Sequence, residues 1–275
     1  MKKKTYFFNV NTKKNKGKIM PTQKKVTSVQ DLLRHLNSDI KKYSGAIWYR
    51  GHARYTWKLE PGYIRLSNPP SEHTLLKKFR QNASFLLSNK PENSFDWLFL
   101  MQHYGVPTRL LDWTESPLAA LYFAVTEDKY KKDNAALWLL FPSELNRNAN
   151  IEAEEKFYIP SFDEEVMDNY SLETLNREHK TKQLPVAAIA TRNNPRINAQ
   201  LGVFTIHHRD TISIEKIGKK EHVRKYEIPA KSKPRLAEEL KLLGITKFQL
   251  FPELSSIGEN IRSDVYELHK HIPSK

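Results

Sequence analysis

Between two apolar helical stretches the chain runs Met101-Gln102-His103-Tyr104-Gly105-Val106-Pro107-Thr108-Arg109-Leu110-Leu111-Asp112-Trp113-Thr114-Glu115-Ser116-Pro117. Among its side chains, Gln102, His103, Arg109, Asp112 and Thr114 hydrogen-bond or titrate. Polar groups gathered where a chain turns inward cost free energy unless they are paired. A fold that keeps them builds either a buried network or a site.

The flanking pattern supplies the scaffold. Ser28 or Thr27 caps a helix to about Lys42, with Val29, Leu32, Leu33, Leu36 and Ile40 at helical spacing. Ala46 to Gly51 reads as a short strand, and Trp57 to Pro61 as a segment pairing beside it. A turn at 68–71 leads to a helix over about Glu72 to Ser88, whose buried side takes Leu75, Leu76, Phe79, Phe85 and Leu86. Another helix runs from about Phe95 to Tyr104, stopped by Gly105. Ser116-Pro117 opens a central apolar helix through Ala124, and Ala135 to Phe141 is a buried strand. The acidic segment 144–184 reads as a mostly helical surface insertion. Strands at Val186–Ala190, Gly202–His208 and Val223–Ile228 follow, then helices near Pro234–Leu243 and Ser255–His269. The expectation is an α+β fold of short mixed strands, with a helical N-terminal half and a helical C-terminal end. Residues 1–25 form a flexible arm, and 26–275 a single domain.

Charge and composition narrow the function. The net charge is +14, but residues 1–25 hold nine lysines and no acid, leaving 36 basic against 31 acidic residues elsewhere. The arm is either a solvated leader or a contact for nucleic acid; the body is an ordinary mixed surface. No cysteine is present, which excludes disulfides and thiol catalysis and fits a cytoplasmic setting. No run of about 18 apolar residues predicts a membrane span, and nothing resembles a signal peptide. No Walker, dinucleotide-fingerprint or nucleophile-elbow motif occurs, and no His/Asp/Glu spacing points to a metal.

Candidate residues remain with two readings each. Arg50, between an aromatic and Gly51, forks onto a phosphate or carboxylate, or pairs with an internal acid such as Asp112. Gln102 and His103 end a helix, where a histidine is either a structural hydrogen-bonder or a catalyst. Arg109 and Asp112 pair across one turn or act in a site. Thr114 and Ser116 cap the helix at Pro117 or present its amides to an anion. Thr191 to Gly202 is a polar loop in which Gln200 points inward.

These pieces together resemble the FRG domain family, named for an aromatic-Arg-Gly motif near its start. The likeness rests on Trp48-Tyr49-Arg50-Gly51, on Trp57, Leu59, Pro61 and Arg65, and on Trp97 and Leu100–Gly105. It continues through Pro107–Thr114, Ser116-Pro117 and Ala120–Ala124, and ends with Pro195-Arg196, Gln200 and Gly202–Thr205, a motif core over 46–208. The family name does not by itself specify a reaction.

A second resemblance, to toxin-type ADP-ribosyltransferases, does. Tyr49-Arg50-Gly51 is similar to that superfamily's first-strand motif, and Thr114-Glu115-Ser116 with Ala120 and Phe123-Ala124 to its hydroxyl segment and following helix. The resemblance implies an ADP-ribosyltransferase-like core and NAD as the substrate, used to modify a macromolecular target or hydrolysed. It places Arg50, Gly51, Gln102, Arg109, Thr114, Ser116 and Arg196 on the dinucleotide, with Asp112, Gln200 and His103 catalytic and no metal. The sequence departs where the superfamily carries a glutamate: residues 196–206 have none, and Gln200 stands nearest. A role as a toxin or phage-defence effector would follow from the kind of protein that carries such domains. The alternative is a non-catalytic nucleotide- or nucleic-acid-binding module that uses the basic arm.

Overall fold

The computed structural model describes residues 23–270 apart from 88, 152–154, 179–180 and 192–193. The expected basic arm thus lies, save for its last three residues, outside the described residues, as do Glu152, Glu154, Arg192 and Asn193. Helix α1 (Val29–Ile40) begins at Ser28, whose hydroxyl accepts from Asp31 N. Strand β1 (Trp48–His52) follows, then α2 (Glu72–Ala83) and α3 (Ser94–His103), capped by Ser71 and Asn93. Gly105, at φ +76°, reverses the chain after α3. Strand β2 (Leu110–Thr114) leads through Ser116 into α4 (Pro117–Val125), with proline in its first turn. Next come β3 (Ala135–Leu140), α5 (Pro142–Asn148) and α6 (Leu172–Arg177). The remainder is β4 (Val186–Ala188), α7 (Pro195–Ala199), β5 (Gly202–Ile206), β6 (Val223–Ile228), α8 (Lys233–Leu242), α9 (Lys247–Leu250) and α10 (Leu254–Lys270).

The six strands form one open sheet in the order β4-β5-β2-β1-β3-β6. Every pairing is antiparallel, which corrects the expectation of mixed strands. The α+β class holds, and the N-terminal half carries the helices α1 to α4 together with three of the six strands. The helical C-terminal end is present as α8 to α10. Among the described residues no helix is long and apolar enough to cross a membrane.

Register explains where the sheet opens. β1 pairs with β3 over five residues and β2 with β5 over five, yet β1 and β2 meet only at Tyr49↔Thr114. The sheet is two three-stranded halves hinged at one rung. Below the β1 half, Tyr49, Leu137, Leu139 and Tyr226 pack with α1, α4 and α8. Below the β2 half, Leu110, Val186, Phe204 and Ile206 pack with α2, α3 and Phe162, Met167, Tyr170 and Leu172. A third cluster, with Trp48, Leu111, Trp113, Trp138 and Val203, joins both halves on the other face. This follows from strand alternation, since Trp48 and Tyr49, like Leu110 and Leu111, face opposite ways.

Several expectations fail for identifiable reasons. Residues 57–61 form no strand; the Leu59 N–H goes to the Glu215 carboxylate instead. Helix α2 ends at Ala83, so Phe85 (81% exposed) and Leu86 (73%) lie outside its buried stripe. The 144–184 segment is not confined to the surface, because Phe162, Met167, Tyr170 and Leu172 complete the cluster under β2. Pro195–Ala199, expected as loop, is a short helix that Asn194 caps.

Candidate functional site

The polar segment 101–117 divides, and its one arginine does not join the residues that gather at the cleft. Arg109, expected at the cleft, is buried just before β2, against Glu72 of α2. Its Nε donates to Glu72 Oε2 at 2.5 Å, its Nη1 to the His207 carbonyl at 2.7 Å and its Nη2 to the Tyr170 carbonyl at 2.9 Å. The Arg109 N–H donates to Glu72 Oε1 at 2.8 Å, and the two side chains are 5% and 4% exposed. Every part of the fork is used to tie α2, β2, β5 and the segment before α6 together. Arg109 is a structural bolt, and it does not line the cleft.

The cleft opens where β1 and β2 separate. Past the single rung, the Asp112 carbonyl lacks a strand partner and accepts from Arg50 Nη1. A cavity of about 260 Å³ follows, lined by Tyr49, Arg50, Gly51, Gln102, His103, Asp112, Thr114, Arg196 and Gln200 among polar and backbone contributors, with Phe99, Trp113, Phe123, Ile197 and Phe204 as apolar walls. Eight of the ten sequence candidates therefore converge. The exceptions are Arg109 and Ser116. Ser116 caps α4 through the Ala119 N–H at 3.2 Å and is not part of the lining.

Arg50 is incompletely satisfied. It approaches Asp112 Oδ2 at 3.8 Å, and its side chain keeps 21% exposure against 53% for Asp112. Its Nε donates to His52 Nε2 at 3.0 Å, while Trp138 Nε1 donates to His52 Nδ1 at 3.2 Å. A neutral imidazole has one acceptor nitrogen, so only one of those contacts is a hydrogen bond at a time. His52 is neutral because burial, then Arg50, Lys225 and Arg65, hold its pKa well below the usual value. Burial likewise lowers the Arg50 pKa, and Asp112 opposes that shift. Among the described residues the Arg50 Nη2 has no partner. It is a cation with donors to spare at an open cleft.

A relay fixes Asp112. The Leu110 N–H donates to Thr108 Oγ1 at 3.2 Å, the Thr108 hydroxyl to Gln102 Oε1 at 2.6 Å, and Gln102 Nε2 to Asp112 Oδ2 at 2.9 Å. Gln102 and Asp112 act as one unit. Asp112 Oδ1 makes no hydrogen bond among the described residues, so one carboxylate oxygen is held and the other is available.

The far wall is built by α7. The Thr114 hydroxyl donates to the Gln200 carbonyl at 2.5 Å and accepts from the Ser116 N–H at 3.0 Å, which locks β2 to the turn before β5. Gln200 Nε2 donates to the Leu250 carbonyl at 3.0 Å, so its amide faces α9 as well as the cleft. Arg196 stacks 4.7 Å from the Phe251 ring and reaches the His103 carbonyl at 3.5 Å. Burial and then Arg196 lower the His103 pKa, so the ring is neutral near pH 7. Gly51 has a structural reason too: a Cβ there would lie 1.9 Å from the Ala120 carbonyl oxygen of α4.

The apolar walls were not named from sequence. Phe123 and Phe204 lay within the quoted motifs without a role of their own, and Phe99 was not singled out. Among the described residues no group of three or more His, Asp or Glu side chains is arranged to hold a metal ion.

In this split sheet an arginine bridges the gap between the two halves and lines the cavity beside it. The FRG domain family model matches residues 45–134, and the chain carries an FRG domain over that span, from β1 through α4. The match includes Arg50, Gln102, His103, Asp112 and Thr114 and ends before Arg196 and Gln200. No curated protein and no solved structure matches the chain.

Proposed function

We propose that the cleft binds NAD and that the protein is an ADP-ribosyltransferase-like or NAD-hydrolysing enzyme. The observation that carries this reading is Arg50, whose Nη2 is unpartnered beside a carboxylate with one free oxygen, between aromatic walls. A guanidinium with open donors suits a phosphate. Phe99, Phe123 and Phe204 suit a ring, and the concave lining, part polar and part aromatic, suits a small molecule.

Within this reading each residue has a task. Arg50 holds a phosphate oxygen, and Arg196 closes the cleft from the far wall. Asp112, fixed by Gln102, presents negative charge where the ribose carbon becomes positive, the task for which Gln200 lacks the charge. His103, being neutral, accepts or donates one proton at the cleft edge. The ribosyl–nicotinamide bond breaks, nicotinamide leaves with the electron pair, and water or a nucleophile of a macromolecular target takes its place.

Purified protein incubated with NAD, with and without cell extract, tests this. The expected result is nicotinamide release or a labelled macromolecule, abolished by Asp112→Asn. Absence of both, with no NAD binding by calorimetry, overturns it.

A further inference from the structure

Arg50 is the shared wall of two cavities. On its other side lies a second one of about 300 Å³, which it lines together with Gly51, Trp57, Lys58, Arg65 and Phe123. We infer that this second cavity is an anion subsite, in which Arg65 and Arg50 together take a pyrophosphate, so that the cleft's ligand passes across Arg50 and occupies both chambers.

Four observations support it. The cavities are contiguous, since Arg50, Gly51 and Phe123 belong to both. Arg65 forms no hydrogen bond or ion pair among the described residues, while the neighbouring Lys58 is paired with Glu60 at 3.7 Å. The remaining acid of the lining, Glu127, is exposed. Finally, Arg65 and Arg50 repel: Arg65 disfavours charge on both Arg50 and His52. Two like charges left facing one cavity are relieved by an anion between them, and a diphosphate offers an oxygen to each.

The subsite deepens the NAD reading and partly rests on it: it states why a dinucleotide, with two phosphates, is held better than a mononucleotide. Arg65 is exposed and bonded to nothing in the fold, so Arg65→Gln alters the cavity without disturbing the core; an unchanged melting temperature verifies this.

Calorimetry on the full chain with NAD, nicotinamide mononucleotide and inorganic pyrophosphate separates the possibilities. The subsite predicts that Arg65→Gln weakens NAD and pyrophosphate about tenfold or more and leaves the mononucleotide within about twofold. Glu127→Gln strengthens pyrophosphate binding. If Arg65→Gln binds NAD and pyrophosphate like the wild type while Arg50→Gln loses NAD, the subsite is wrong and the NAD reading stands. If the wild type binds pyrophosphate in an Arg65-dependent way but not NAD, the subsite stands and the NAD reading falls. Binding of neither probe overturns both.

Discussion

Arg50 and Arg109 carry the same guanidinium, yet one is a tool and the other a bolt. The difference lies in their partners. Arg109 has a full carboxylate and two carbonyls and is itself buried, whereas Arg50 has one carbonyl, a contested imidazole and a distant carboxylate. Breaking a buried pair strands the surviving charge, so Arg109→Ala or Glu72→Ala should lower stability by about 3–5 kcal/mol in denaturant titrations. Arg50→Ala should leave the melting temperature nearly unchanged and weaken NAD by about tenfold to a hundredfold, the worth of a charged hydrogen bond. Asp112→Asn keeps the shape and loses the charge, so turnover should fall by about a hundredfold or more with little change in NAD affinity. The sequence displayed both arginines but left each with two readings. Their burial depends on Glu72 and on carbonyls 61 and 98 residues away, which no local pattern reveals.

At the scale of elements, helices were the more legible. Ser28, Ser71 and Ser116 mark helix starts, and each hydroxyl accepts from the first turn as capping chemistry requires. Strand β2 was hidden because Leu110 and Leu111 are both buried and only Asp112 is exposed, so no polar-apolar alternation appears. The cleft follows from that strand, and its position was correspondingly obscured. Gly51→Ala should disrupt the packing of α4 on β1 and destabilise by about 1–3 kcal/mol, as overpacking does, measurable by thermal melting. The end of β5 sets a pH dependence. His207 and His208 are buried, and burial lowers each pKa from 6.5 to about 4. The unfolded chain therefore binds more protons between these values. Stability is present above pH 6.5 and declines as pH falls toward 4, with a slope of about 1.4 kcal/mol per pH unit for each ring. A melting temperature that stays flat between pH 7 and pH 4.5 would contradict this account of the two rings.

For the whole molecule, the decisive feature is a sheet whose halves share one rung. The α+β class, the last three strands and the central apolar helix were readable from periodicity and turn signals. The split was not, because strand register depends on which segments meet across the chain: β2 pairs with residues 202–206 and β1 with 136–140. Charge makes a separate point at this scale. The basic excess is concentrated in residues 1–25, whereas the cleft cations Arg50 and Arg196 belong to the folded body. NAD affinity should therefore be unchanged on deleting residues 1–22. Calorimetric titration of NAD into the wild type and Arg50→Ala, at matched stability, decides whether the gap between β1 and β2 is a dinucleotide site governed by Arg50. Saturable binding to the wild type, weakened at least about tenfold in the variant, is the predicted result; equal affinity in both, or no binding to the wild type, would contradict it.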